Sequence, residues 1–156
     1  MPSPELIRIR NSRAIDGTFP AIRAFLLRAF SIHTLCPDVD AALDELCDTI
    51  HEDGVGLFMV RDRGEWKAMA LCQWGSSKFN PVCTVAHFYN EGTKATRDVT
   101  IQACIDYACE GGFSSLLGVD VNHQPRAFAR LFRAAGPVTY VGAIYQFDLE
   151  HRDGRG

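Results

Sequence analysis

The sequence predicts a mixed α/β domain with the element order β-α-α-β-β-β-α-β-α-β. Three observations carry this reading. Three strand-like runs, Val55–Arg61, Trp66–Trp74 and Val82–Tyr89, follow one another with only short breaks, as in an antiparallel meander. Two segments before them show the 3.6-residue spacing of apolar side chains expected of amphipathic helices. After them the rhythm changes to helix, strand, helix, strand, which implies a parallel, right-handed crossover.

The first strand is read from residues 5–10, where apolar and charged residues alternate until Asn11-Ser12 break the pattern. A helix is expected from Asp16, with Ile22, Phe25, Leu26, Ala29 and Phe30 on one face. Asp38 is the N-cap of a second helix carrying Val39, Ala42, Leu43, Leu46, Cys47 and Ile50 on one face. Asp62-Arg63-Gly64-Glu65 has the length and glycine of a hairpin turn. A third helix places Ile101, Cys104, Ile105 and Ala108 together and stops at Gly111-Gly112. Ser115–Val121 reads as a short strand. A helix from about Pro125 to Ala135 gathers Phe128, Leu131 and Phe132, and a last strand spans Val138–Leu149. One domain over residues 1–150 and a frayed tail over 151–156 are expected.

Composition narrows the function. The chain is 47% hydrophobic and 22% charged, with a net charge of −3, so it lacks the basic surplus of a nucleic-acid binder. The start, MPSPELIRIR, has no apolar core of a signal peptide, and no run is long enough to cross a membrane, so a cytoplasmic location is expected. The six cysteines show no zinc or C-x-x-C spacing and read as buried free thiols. No metal-ligand spacing, Walker loop or nucleophile elbow is present.

The order of elements, with Asn90-Glu91-Gly92-Thr93-Lys94-Ala95-Thr96-Arg97 between the third meander strand and the following helix, resembles the GNAT superfamily of acyl-CoA N-acyltransferases. That family's pattern is Gln or Arg, two residues, Gly, one residue, then Gly or Ala. This chain matches it in part, and Gly92-Thr93-Lys94-Ala95 is most similar to the shortened Gly-x-Lys variant of small GNAT-like phage proteins. The resemblance implies acetyl-CoA or another acyl-CoA as co-substrate, with its pyrophosphate on the N–H groups that open the helix. Tyr89, Gly92, Thr93, Lys94, Ala95, Thr96 and Asn122 are then the co-substrate contacts, and a bulky residue at Gly92 is expected to abolish CoA binding with the fold intact. Asn122, Ala127, Leu131-Phe132 and Gly136-Pro137 follow the family's next landmarks, but Phe132 stands where a tyrosine often protonates the leaving thiolate. Tyr89, Tyr140 and Tyr145 are the remaining phenols.

Amine acylation also needs a base. His87, on the run leading into the loop and read as sharing a face with Cys83, Val85 and Tyr89, is one candidate, since imidazole titrates near neutrality. Glu91 is another. Asp120 interrupts an apolar strand near its carboxyl end, where open α/β sheets bind ligands. Two functions follow: acyl transfer to an unknown amine, or a GNAT-fold binding or structural module without catalysis, such as a virion component, with Phe79, Tyr140 and Tyr145 at its interface. A homo-oligomer or larger assembly through an open last strand, or another protein partner, is expected from the shortened C-terminus.

Overall fold

The computed structural model describes residues 3–32, 38–76, 81–118 and 127–138. Strand β1 is Glu5–Ile9, and a single 3-10 turn covers Ser12–Ala14. Helix α1 is Pro20–Ser31 and α2 is Val39–Thr49. Strands β2, Val55–Asp62, β3, Glu65–Ser76, and β4, Pro81–Asn90, form the meander. Helix α3 is Lys94–Glu110, β5 is Leu116–Gly118, and α4 is Ala127–Phe132. The strands lie in the order β1-β2-β3-β4-β5; β4 and β5 are parallel and every other neighbouring pair is antiparallel. The expected last strand, the tail, Cys36, Phe79, Pro125, Tyr140 and Tyr145 lie outside the described residues.

Local chemistry explains most boundaries. Helix α1 begins four residues later than the apolar pattern suggests. Asp16 turns back on Thr18, accepting from its N–H at 2.9 Å and its hydroxyl at 2.6 Å, Gly17 adopts φ 108°, and Pro20 then opens the helix. Asp38 caps α2 as expected, accepting from Ala41 N–H at 3.0 Å. The β2–β3 turn needs positive φ at two consecutive positions, Arg63 at 53° and Gly64 at 80°, the pattern of a two-residue hairpin loop. Helix α3 ends with Gly112 N–H bonded to Cys109 O and Phe113 N–H to Ala108 O, and Gly112 takes the left-handed conformation that closes such an end.

Each face of the sheet holds its own core. On one face α1 and α2 cover Leu57, Met59, Met69 and Leu71 with Phe25, Leu26, Ala29, Leu43 and Leu46. On the other, α3 and α4 cover Phe58, Ala70, Cys72, Cys83 and Val85 with Ile101, Cys104, Tyr107 and Phe132. Burying each large side chain here contributes roughly 1.5–3 kcal/mol. Helix α3 is rotated slightly from its expected orientation. Thr96, Thr100, Ala103 and Tyr107 join Ile101, Cys104 and Ala108 in the interior, while Ile105 is only partly buried. The Tyr107 hydroxyl donates to Asp53 O at 2.6 Å and its ring stacks on Trp74, so a polar tip is satisfied inside an apolar layer.

The thiols of the described residues are free; Cys72, Cys83 and Cys104 are buried as read, and Cys47 is only half-buried. Cys109 is exposed, because it follows Ala108 past the edge of the buried stripe.

A bulge decides how β4 presents its side chains. Leu71 pairs with His87 and the next residue, Cys72, with Val85, so Ala86 is an extra residue in β4. Cys83 and Val85 therefore face α3, whereas His87 and Tyr89 face α1. The single shared face read from simple alternation is corrected by that one residue.

Candidate functional site

The β4–α3 loop is braced from within. Asn90 Oδ1 accepts from Gly92 N–H at 3.2 Å and from the Thr96 hydroxyl at 2.7 Å, and Asn90 Nδ2 donates to Thr93 O at 3.2 Å. Glu91 N–H donates to Lys67 O at 2.8 Å, which ties the loop to β3. Thr93 caps α3 by accepting from Thr96 N–H at 3.3 Å. After these bonds, the N–H groups of Thr93, Lys94 and Ala95 have no hydrogen-bond partner among the described residues. All three residues are exposed at the start of a 17-residue helix with no acidic residue in its first turn. Three unpartnered donors and the positive end of the helix dipole make a site for an anion. Lys94 makes no ion pair among the described residues, and Arg97 holds Asp98 at 3.3 Å.

Gly92 and Thr96 differ from the roles expected of them. Thr96 is fully buried, with its hydroxyl on Asn90 Oδ1 and Thr93 O and its N–H on Thr93, so it braces the loop and has no donor left for a phosphate. Gly92 has its N–H on Asn90. A Cβ there would stand 2.5 Å from Thr96 Oγ1 and 2.9 Å from Lys67 Cβ. The glycine is required by this close approach, so a bulky replacement would break the loop rather than merely block it.

Tyr89 and Glu91 meet, and Arg28 of α1 joins them. Arg28 donates to Glu91 Oε1 at 2.8 Å and the Tyr89 hydroxyl to Glu91 Oε2 at 2.7 Å. The guanidinium, followed by the phenol's hydrogen bond, holds the Glu91 carboxyl below its ordinary range against some desolvation. The Tyr89 hydroxyl is shifted up, first by its bond to Glu91 and then by desolvation. Tyr89 lies on the α1 side of the sheet, beside Phe25, and not at the helix amides.

His87 is placed elsewhere. It is 5% exposed, stacks on Phe30 with ring centroids 4.8 Å apart, and its Nε2 lies 2.6 Å from Ala29 O. A carbonyl only accepts, so Nε2 carries the proton and is committed to α1. Phe132 is buried, stacked on Phe128 at 4.5 Å and edge-on to Phe88 at 6.1 Å. Asp120 and Asn122 lie outside the described residues. No group of three or more His, Cys, Asp or Glu side chains able to hold a metal occurs among the described residues. Nor is any described helix long and apolar enough to cross a membrane.

Sequence reasoning missed Arg28, Asn90 and Lys67. Asn90, two residues before a glycine, carried a readable signal for a side-chain turn. Arg28 and Lys67 carried none, since each reaches the loop across a long stretch of chain.

Solved structures share this architecture. The chain matches a ribosomal-protein-alanine N-acetyltransferase from Brucella melitensis biovar Abortus 2308 with TM-score 0.64 at 14% identity, covering 94% of this chain and 100% of that one. A predicted acetyltransferase from Clostridium acetobutylicum, solved with acetyl-CoA, gives TM-score 0.67 at 10% identity, covering 95% and 97%. The chain has the GNAT acetyltransferase fold. The aminoglycoside acetyltransferase AAC(6')-Iy, solved with a CoA bisubstrate analogue, matches the same GNAT fold with TM-score 0.66 at 13% identity, covering 94% and 99%. No family model matches the sequence, and no curated protein is significantly similar to it.

Proposed function

We propose that this chain is an acyl-CoA-dependent N-acyltransferase whose acceptor is an amine. The observation that carries the reading is the trio of unpartnered N–H groups at Thr93, Lys94 and Ala95, opening the helix that follows β4 in a GNAT fold. Structural neighbours solved with acetyl-CoA or CoA analogues support a CoA thioester as co-substrate. The donor set suits a pyrophosphate, with Lys94 adding charge. Two neighbours act, by their names, on a ribosomal-protein alanine and on aminoglycosides, which supports an amine acceptor here.

The CoA arm then fixes where the chemistry lies. Pantetheine is a peptide-like chain equivalent to about four residues, and at about 3.3 Å each it spans roughly 13 Å. Laid back along β4 from the loop, it brings the thioester level with the bulge at Ala86. Pairing with β5 covers only Cys83–Val85, so no described strand neighbours Phe88–Asn90 on that side. The amine nitrogen attacks the thioester carbonyl, the C–S bond breaks, CoA leaves as a thiolate, and the nitrogen loses a proton.

Glu91 stands at the pyrophosphate end and stays ionised, so it serves as a positioning residue that docks α1 on the loop. His87 is a brace between β4 and α1. We assign the base to Asp120, two residues beyond Gly118, which pairs with Val85 beside the bulge. Phe132 has no proton to give, so the thiolate takes its proton from Tyr140, Tyr145 or water. The test is titration with acetyl-CoA, followed by an amine screen. Micromolar binding, with amide NMR shifts concentrated at Thr93–Ala95, is expected. Asp120→Asn should lower kcat by about 10²–10⁴ with acetyl-CoA affinity unchanged. Absence of binding at millimolar acetyl-CoA would overturn the reading and favour a non-catalytic module.

A further inference from the structure

A concavity lies on the α1 face, between that helix and the β2–β3 hairpin, with a volume of about 430 Å³. Such a volume is in the range of small-molecule sites. Its room comes from three small residues, Ala21, Ala24 and Gly64, and its apolar wall from half-buried Trp66, with the buried Phe25 beneath. Its charged lining is two cations and two carboxylates. Arg28 holds Glu91 at 2.8 Å, and Lys67 holds Glu65 at 3.0 Å. On the proposed seating of CoA the thioester lies at the bulge, several residues from Glu91, which sets this cleft apart from the reacting bond.

We propose that the cleft binds a free α-amino acid with an apolar side chain, as a ligand that is not acetylated. The lining is neutral and carries both signs. A polycation or a polyanion would meet as much repulsion as attraction there. A zwitterion with its two charged groups on one carbon fits both. Its ammonium approaches the Glu91 and Glu65 carboxylates, its carboxylate approaches Arg28 and Lys67, and the four side-chain charges close around it. Charge-assisted hydrogen bonds of this kind are the strong ones. The side chain then lies against Trp66, in the space left by Ala24.

The test uses the full chain without CoA, so it is independent of acyl transfer. Calorimetric titration with L-phenylalanine should show saturable one-to-one binding. N-acetyl-L-phenylalanine lacks the ammonium and the methyl ester lacks the carboxylate, so each should bind about tenfold more weakly or worse. Ala24→Trp, at an exposed helix position, should fill the cleft and abolish binding with the melting temperature held. Lys67→Met should weaken the free amino acid and leave the methyl ester unchanged. Equal affinity for all three ligands, or no binding of L-phenylalanine at millimolar concentration, would overturn the proposal. So would turnover of L-phenylalanine to its N-acetyl form in the presence of acetyl-CoA, which would make the cleft the acceptor site.

Discussion

Replacing Gly92 by alanine tests the loop at its tightest point. The added methyl would sit 2.5 Å from Thr96 Oγ1 and 2.9 Å from Lys67 Cβ, and neither neighbour is the loose end of a long side chain. Thr96 is fully buried and its hydroxyl is bonded to Asn90, so relief requires that bond to lengthen or break. Overpacking of this kind costs about 1–3 kcal/mol. Loss of the hydrogen bond adds about 1 kcal/mol. A total of about 2–4 kcal/mol lowers the melting temperature of a chain this size by roughly 4–16 °C. Thermal unfolding followed by circular dichroism measures the shift, and acetyl-CoA titration of the same variant should show affinity reduced by at least about tenfold, a loss of about 1.4 kcal/mol. Thr96→Ala removes the nearest atom, so the double variant should be less destabilised than the sum of the singles by about 0.5 kcal/mol or more. A Gly92→Ala protein that melts with the parent would refute the close-approach argument, and additive singles would refute the assignment of Thr96 as the obstacle.

Other expectations follow from contacts already described. Tyr107→Phe leaves Asp53 O without its buried donor and should cost about 1–1.5 kcal/mol by urea denaturation, with no loss of aromatic stacking. Glu91→Gln should lower stability at neutral pH by no more than about 1 kcal/mol, because Arg28 is half exposed. Since folding depresses the Glu91 carboxyl, this contribution is present above the ordinary carboxylate range and is lost as pH falls through the folded value. The melting temperatures of parent and variant should therefore converge in acid. In a Cys36→Ser background, a thiol reagent should label Cys109 fastest in the native protein. Burial pushes Cys83 up to about 12, so rapid labelling there would contradict the core described for α3.

The fold was legible where one residue type had one physical reason to be present. Asp38 as a cap, the glycine-bearing turn between β2 and β3 and the glycines that close α3 each follow from local chemistry. The start of α1 was obscured because the Asp16–Thr18 turn precedes the helix within a segment that already looks helical. On α3, the buried face was read from Ile101, Cys104, Ile105 and Ala108, and the two buried threonines were invisible as core. Thr96 is interior because Asn90 and Thr93 satisfy it, a fact of three-dimensional pairing. At the site, the loop was found from Gly92 and its neighbours. The Arg28–Glu91–Tyr89 cluster was seen only in halves, since α1 comes to β4 through packing that no local pattern encodes.

The extra residue at Ala86 has a further effect on how the molecule comes apart. Upstream of it β4 contributes Cys83 and Val85 to the core under α3, and downstream it places His87 and Tyr89 against α1. β4 thus feeds both apolar layers, as β2 and β3 do by alternation, and the bulge turns its odd-numbered positions from the α3 layer to the α1 layer part-way along. Neither layer can loosen completely while β4 stays paired with β3, and β4 cannot leave without opening both. Amide hydrogens bonded between β3 and β4 should therefore exchange only through global unfolding, while the outer turns of α1 and α4 exchange through smaller openings.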